Sequence, residues 1–295
     1  MIESVPNLSE GRDLEAIGRV GHAIQSAGAR LLDVHVDGDH HRSVFTFVGG
    51  AEEIVAGALA MVEKAVARID IRDHHGEHPR IGAVDVVPFV PLAGSSMANC
   101  ISAAREAGEA IGARFGIPVY LYEAAASRPD RRNLADLRRG GLEGVATRME
   151  TEDGRPDYGP PHLHDRAGAI VVGARPFLVA YNVNLTSGDL AAARAIASAI
   201  RASGGGLPGV KALGVMLHSR GLAQVTMNLT DVGATTVPEA FEAVRVEAER
   251  RGVGVLESEI VGLAPRAALA GASAEDLLLT RPVEEIVLEE RLADL

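Results

Sequence analysis

Tryptophan is absent from the 295-residue chain, and all aromatic residues together make up 3% of it. That scarcity argues against a base-stacking platform for nucleic acid and leaves the core to Ala, Val, Leu and Ile. There is one cysteine, Cys100, so an internal disulfide framework and a cysteine-based zinc site are both excluded. A small buried thiol is its expected state. Positive charge is outnumbered, 29 Lys and Arg against 40 Asp and Glu, for a formal net charge of −11. Nucleic acid and anionic membrane surfaces are therefore poor partners. An anionic small ligand is not excluded, because screening confines such effects to about 8–10 Å and a local Arg/His cluster still attracts carboxylates. No run of about 18 apolar residues occurs. Met1-Ile2-Glu3-Ser4-Val5 lacks the basic and apolar regions of a signal peptide, so a cytoplasmic, reducing setting is expected.

What is present is an ordinary globular mix, 47% hydrophobic and 23% charged, long enough for one large domain or two compact ones. Ile2 to Pro6 reads as a strand and Leu14 to Ser26 as a helix. Arg30–Val36 and Ser43–Val48 read as β-branched strands joined by a polar turn at Asp37-Gly38-Asp39. Ala51–Ile69 follows as a helix with Glu52 and Glu53 at its positive end, then a strand over Val84–Val90. A helix at Met97–Phe115 and a strand at Pro118–Leu121 come next, and residues 123–168 read as short helices and loops. The second half repeats the order: strand Phe177–Leu185, helix Asp189–Ala202, strands Val210–His218 and Ala223–Asp231, helix Pro238–Arg250, strand Gly254–Val261. A covering helix is expected over Pro282–Leu292. The fold class is thus α/β (α+β), two ferredoxin-like β-α-β-β-α-β subdomains, 1–176 and 177–295. The expected arrangement is sheets face to face, helices outside and a ligand site between.

Histidine is the anomaly. Six of the ten cluster in the first half: His35, His40 and His41, then His74, His75 and His78. His titrates nearest neutral pH, so clusters beside loops are candidate acid–base sites, although a solvated polar loop has the same composition. His74, Glu77 and His78 spell an inverted zinc-peptidase signature. Gly76 weakens a helix there and Pro79 disfavours helical backbone at His78, so the helical metal geometry fails. The same two residues suit a stiff turn that fixes His78 for proton transfer, with Glu77 and Arg80 beside it and Arg80 suited to a bidentate grip on a carboxylate.

A second polar segment, Asp37 to Arg42, offers Asp39 to orient an imidazole and Arg42 to hold an anion or to form a surface salt bridge. Asn7, Ser9, Glu10 and Gly11 precede the first helix, where backbone N–H groups bind anions, though a plain cap explains Ser9 equally well. Asn182 and Asn184 share one face of a strand, an unusual place for asparagine, and point to polar ligand contacts or a strand end. Walker A and G-x-S-x-G sequences are absent, and Gly204-Gly205-Gly206 follows a helix and reads as a linker.

Several segments together resemble the glutamate formiminotransferase family. They are Val5-Pro6-Asn7-Leu8-Ser9-Glu10-Gly11, Leu31-Leu32-Asp33, Phe45-Thr46-Phe47-Val48-Gly49, His74-His75-Gly76-Glu77-His78-Pro79-Arg80, Gly82-Ala83-Val84-Asp85-Val86-Val87-Pro88-Phe89, Pro118-Val119-Tyr120-Leu121-Tyr122 and Asn182-Val183-Asn184-Leu185. The likeness runs in order along nearly the whole chain. It implies two related α/β subdomains around a folate tunnel and a homodimer. It also implies transfer of a formimino group from N-formimino-L-glutamate to tetrahydrofolate as co-substrate, a step of histidine breakdown. The family's catalytic histidine maps onto His78, with Glu77, Arg80, Asp39 and His35 supporting. Asn7, Ser9, Glu10, Gly11, Arg42, His74, His75, Asn182 and Asn184 are the expected substrate and folate contacts, and no metal is required. In bifunctional relatives the residue two after the Leu-Leu-Asp aspartate is acidic, whereas here it is His35; its orienting role passes to Asp37 or Asp39, or is absent. The chain is expected to act without a cyclodeaminase domain, with a separate enzyme to process the product. A formyl donor on the same fold and a non-catalytic folate-binding module are the alternatives.

Overall fold

A computed structural model describes residues 1–74 and 80–293, which form two compact units, Met1–Arg175 and Pro176–Leu295. In the first, seven strands make one sheet. Strands β1 (Ile2–Ser4) and β2 (Asn7–Leu8) lie in line between β4 (Arg42–Gly49) and β5 (Val84–Pro91), antiparallel to both. The break between them falls at Val5-Pro6, where proline has no N–H to give to the ladder. Strand β3 (Arg30–Asp37) pairs with the outer edge of β4. Beyond β5, the sheet continues in parallel through β7 (Ile170–Ala174) to β6 (Val119–Glu123).

Helices α1 (Leu14–Ser26), α2 (Ala51–Arg68) and α3 (Met97–Phe115) cover one face. Their Ile17, Ile24, Ile54, Met61, Ala104 and Ile111 pack with Phe45, Phe47, Phe89 and Val172 in one apolar core. Spacing of three and four residues puts these side chains on single helix stripes. Cys100 lies in this core, fully buried, and burial pushes its thiol up to about 11, which keeps it an inert apolar filler. A second core forms around Val86, Tyr120, Tyr122 and Val171 under α4 (Leu134–Leu137) and α5 (Gly141–Met149). The excursion carrying those helices is tied down by buried Arg131, whose guanidinium reaches Asp157 at 2.8 Å and the Asp153 and Arg155 carbonyls.

The second unit is a four-stranded antiparallel sheet in the order β11-β8-β10-β9 (β8 Val179–Leu185, β9 Val210–Leu217, β10 Leu222–Leu229, β11 Val255–Val261). Helices α6 (Leu190–Ile200) and α7 (Val237–Glu249) pack on one face over Tyr181, Val183, Val225, Met227 and Ile260. With the intervening helices the element order is β-α-β-β-α-β. Helix α8 (Arg266–Leu269) follows.

Strand β7, just past residues 123–168, carries no alternation signal in the sequence: it is five buried residues in a parallel layer, which lack the pattern of a half-exposed strand. The C-terminal covering helix is two pieces, α9 (Val283–Ile286) and α10 (Leu288–Ala293). Val287 between them is extended, with φ −82° and ψ 120°, and forms a bridge with Ala264. Among the described residues no helix is long and apolar enough to cross a membrane.

Candidate functional site

Three segments distant in sequence meet at one end of the first sheet: residues 7–13, the β3–β4 turn at 37–43, and the flanks of the histidine-rich segment. Their meeting point is a main-chain carbonyl. Arg80 donates from Nη1 to the His41 carbonyl at 2.8 Å and from Nη2 to the His40 carbonyl at 2.6 Å. His74 Nε2 lies 2.7 Å from the same His41 carbonyl and is also within reach of Arg80 Nη1. The His74 ring stacks on His41, centroids 4.0 Å apart. His41 sits at φ 48°, in the left-handed region, so the turn presents two successive carbonyls to the one guanidinium.

This corrects the expected role of Arg80. Its terminal nitrogens hold the turn, which makes it a latch between segments rather than a free clamp for a substrate carboxylate. Burial, with Arg42 and Arg138 nearby, lowers its pKa to about 10 despite Asp85, and it stays cationic at neutral pH. His74 is pushed down to about 4, first by burial and then by the Arg80 charge, so it is neutral there. His75, Gly76, Glu77, His78 and Pro79 lie outside the described residues.

Of the two carboxylates offered as orienting groups, Asp37 and Asp39, Asp37 holds an imidazole of this turn, that of His40. Asp37 Oδ2 is 2.5 Å from His40 Nδ1, and Oδ1 accepts the His40 N–H at 2.8 Å. Burial works to raise the Asp37 carboxyl, but the His40 bonds and the charge of Arg42 outweigh it and hold the group at about 2. His40 is 1% exposed, and its Nε2 has no hydrogen-bond partner. A sequence scan counts His40 in a cluster but gives no sign that it, and not a neighbour, is the one sealed inside.

Residues 7–11 also differ from expectation. Ser9 does not cap α1: its hydroxyl donates to the Gly82 carbonyl at 2.7 Å and its N–H to the Ala83 carbonyl at 2.8 Å. The cap is Asp13, which accepts the Ala16 N–H at 2.9 Å. Glu10 takes the N–H groups of Arg12 and Asp13 at 2.8 and 3.0 Å and approaches His41 Nε2 at 3.2 Å. Burial raises the Glu10 carboxyl, yet those three bonds together leave its pKa below the usual value. The protein's own carboxylates thus take up these N–H groups, and Ser9 and Glu10 act as internal ties. Gly11 is required by close approach, since a Cβ there would stand 2.0 Å from the Asp37 carbonyl oxygen. Asn7 and Arg42 do come together, with Arg42 Nη1 reaching Asn7 Oδ1 at 3.4 Å. His35, in β3, is half-buried and opposite Val44. Below the cluster, Asp85 accepts the Ile81 N–H at 2.7 Å and is ion-paired with Arg138.

In the second unit Asn182 and Asn184 are 1% and 4% exposed and lie on the sheet face away from α6 and α7. Each donates to a glutamate of β11, Asn182 to Glu259 and Asn184 to Glu257, both at 2.9 Å. Gln224 of β10 donates to Asn184 Oδ1 at 2.9 Å. Gln224, Glu257 and Glu259 were missed by sequence reasoning. The signal was a second period-two polar pair, Glu257 and Glu259, matching that of Asn182 and Asn184.

A two-unit α/β chain with an arginine–histidine knot on one sheet and an amide–carboxylate lattice on the other is the architecture that the comparisons with known proteins address. The sequence model of the formiminotransferase domain, N-terminal subdomain, matches residues 1–175, and that of the formiminotransferase domain matches residues 180–292. The chain is 44% identical over 295 residues to a glutamate formimidoyltransferase of Thermoplasma acidophilum, covering 99% of this chain and 97% of that one. It is 45% identical over 270 residues to a glutamate formimidoyltransferase of Streptococcus pyogenes, covering 91% and 90%. A formimidoyltransferase-cyclodeaminase of Rattus norvegicus is 41% identical, over 93% of this chain but 52% of its own length. The chain belongs to the formiminotransferase family.

Proposed function

We propose that this protein transfers the formimino group of N-formimino-L-glutamate to tetrahydrofolate, giving 5-formiminotetrahydrofolate and L-glutamate. The observation that carries this reading is the 44–45% identity to two glutamate formimidoyltransferases over at least nine-tenths of each chain. The reaction forms a bond from N5 of the reduced pteridine to the formimino carbon and breaks the bond from that carbon to the glutamate nitrogen. N5 loses its proton as it bonds, and the departing nitrogen gains one. A neutral imidazole serves both transfers, and His78 is the group assigned to them through the family resemblance. No nucleophilic side chain is needed; holding two substrates together supplies much of the acceleration.

The flanks of the segment have settled roles of their own. His74 is neutral and engaged at the His41 carbonyl, and Arg80 is committed to the same turn; the acid–base role is assigned to His78 through the family resemblance. Arg42, beside Asn7, is the group we assign to a substrate carboxylate in place of Arg80. The test is a transfer assay of purified protein with tetrahydrofolate and either formiminoglutamate or formylglutamate. Turnover with formiminoglutamate and little with formylglutamate is expected. The reverse preference would make it a formyltransferase, and folate binding with no turnover of either donor would make it a binding module.

A further inference from the structure

Asp37 and Arg42 close the β3–β4 ladder as direct cross-strand partners. Opposite charges in that register ordinarily bond to each other. Asp37 instead gives both carboxylate oxygens to His40, Oδ2 to ring Nδ1 at 2.5 Å and Oδ1 to the main-chain N–H at 2.8 Å. Arg42 turns its Nη1 toward Asn7 Oδ1 at 3.4 Å. The two remain close enough for the Arg42 charge to act on the Asp37 carboxyl, which is held at about 2. His40 thus takes a carboxylate that the backbone places opposite a guanidinium.

An imidazole is a costly choice if its only duty is to shape a turn. His40 is 1% exposed, and its Nε2 is buried with no hydrogen-bond partner. An unmet buried nitrogen destabilises the fold. The bond from the His40 N–H to Asp37 Oδ1 needs no particular side chain at position 40. The His40 carbonyl that Arg80 holds needs none either. What the ring alone supplies is a hydrogen for Oδ2, and because Asp37 is ionised and accepts, that hydrogen sits on Nδ1. The effect peculiar to the imidazole is therefore to occupy the oxygen that would otherwise reach for Arg42.

We infer that His40 is a positioning residue for Arg42: by holding both oxygens of Asp37 it keeps that carboxylate off the guanidinium. The positive charge of Arg42 is then not cancelled by its cross-strand neighbour and acts on a substrate carboxylate. The inference rests on Arg42 being the group for that carboxylate. The Asp37–His40 geometry has the form of an acid–base pair. A ring sealed from solvent, however, acts through Asp37 and not on the substrate.

The test compares wild type, His40→Leu, His40→Asn and the double variant Asp37→Asn/His40→Leu. The readouts are calorimetric binding of L-glutamate, KM for each substrate and melting temperature. His40→Leu releases Asp37 to Arg42. It is expected to weaken glutamate binding and raise the KM for formiminoglutamate by about tenfold, as loss of a charge-assisted contact should. The KM for tetrahydrofolate stays within about twofold on the same scale. Asparagine offers its amide N–H where Nδ1 stood, so His40→Asn is expected within about twofold of wild type. In the double variant no carboxylate remains at position 37 to capture Arg42, and most of the loss should be recovered. A merely structural role predicts the reverse, a double variant worse than His40→Leu. That result, an unchanged His40→Leu, or an equal rise for both substrates would overturn the inference. If His40→Leu does not fold, His40→Gln, whose amide reaches where Nε2 stood, takes its place. Glutamate binding that follows this order in a protein that transfers no formimino group would sink the enzymatic reading and leave His40 in its role. Should Arg42→Gln leave glutamate binding untouched, the Arg42 assignment falls and a crystal structure of His40→Leu decides. Asp37 bonded to Arg42 there upholds the diversion, and Asp37 apart from Arg42 overturns it.

Discussion

The cluster over residues 7–85 gathers arginines and imidazoles on turns, whereas the cluster of the second unit gathers amides and carboxylates on the strands themselves. In the first, the groups that look free in sequence are committed to main chain: Arg80 to the His40 and His41 carbonyls, Ser9 to that of Gly82, Glu10 to two N–H groups. In the second, side chains bond mainly to side chains across strands, and one carbonyl is left over at Gln224. A turn has unsatisfied backbone groups of its own and consumes polar side chains to settle them. A strand has its backbone satisfied by the ladder and leaves its side chains to one another and to a ligand. The lesson is that a cluster of charged residues on a loop is first a backbone problem, and only its remainder is available for chemistry.

The largest expected effect lies in the first cluster. His78→Ala should lower kcat by at least about 100-fold, the scale for loss of a general acid–base group, with little change in melting temperature; unchanged turnover would remove His78 from its role. Next comes the latch. Arg80→Met should cost about 2 kcal/mol in denaturant unfolding, because it strips a charged donor from two carbonyls. Arg80→Lys should recover less than half of that, since one ammonium cannot reproduce the fork. Full recovery by lysine would mean that charge alone, and not geometry, joins the segments.

A pH profile probes the first cluster further. His74 has its pKa lowered in the folded protein, from 6.5 to about 4. Between those values the unfolded chain binds the extra proton, so stability is complete above about pH 6.5 and falls as the pH drops toward 4. In His74→Gln the unfolding free energy should fall less steeply over that window, and an identical slope would contradict the neutral, buried state of His74. Asp37, held at about 2, adds its own loss only below its unfolded value of 3.8. The smallest effect concerns a device common to both units. Asp13 and Asp189 cap α1 and α6 with the same bond, each at 2.9 Å. Alanine at either should cost about 1 kcal/mol; a much larger cost at Asp13 would show that the cap also braces the cluster.

Much of the fold was legible because apolar spacing is local. The span of α3 and the strands around the 37–42 turn follow from periodicity within ten to twenty residues. Strand β7 was not, since its Ile-Val-Val-Gly-Ala run is buried on both faces. The candidate site was legible in residue type but not in partnership. That Asp37 and not Asp39 holds His40 depends on a turn with positive φ at His41, and the Arg80 latch spans about forty positions. On the second sheet the two asparagines stood out as poor strand formers, while Gln224 became visible only through its register with Asn184.

The most direct test of the account is an initial-rate study of Arg42→Gln, with each substrate varied in turn. The account predicts that Arg42→Gln raises the KM for formiminoglutamate by about tenfold or more, as loss of a charge-assisted contact should, while the KM for tetrahydrofolate stays within about twofold on the same scale. An unchanged KM for formiminoglutamate, or an equal rise for both substrates, would contradict it.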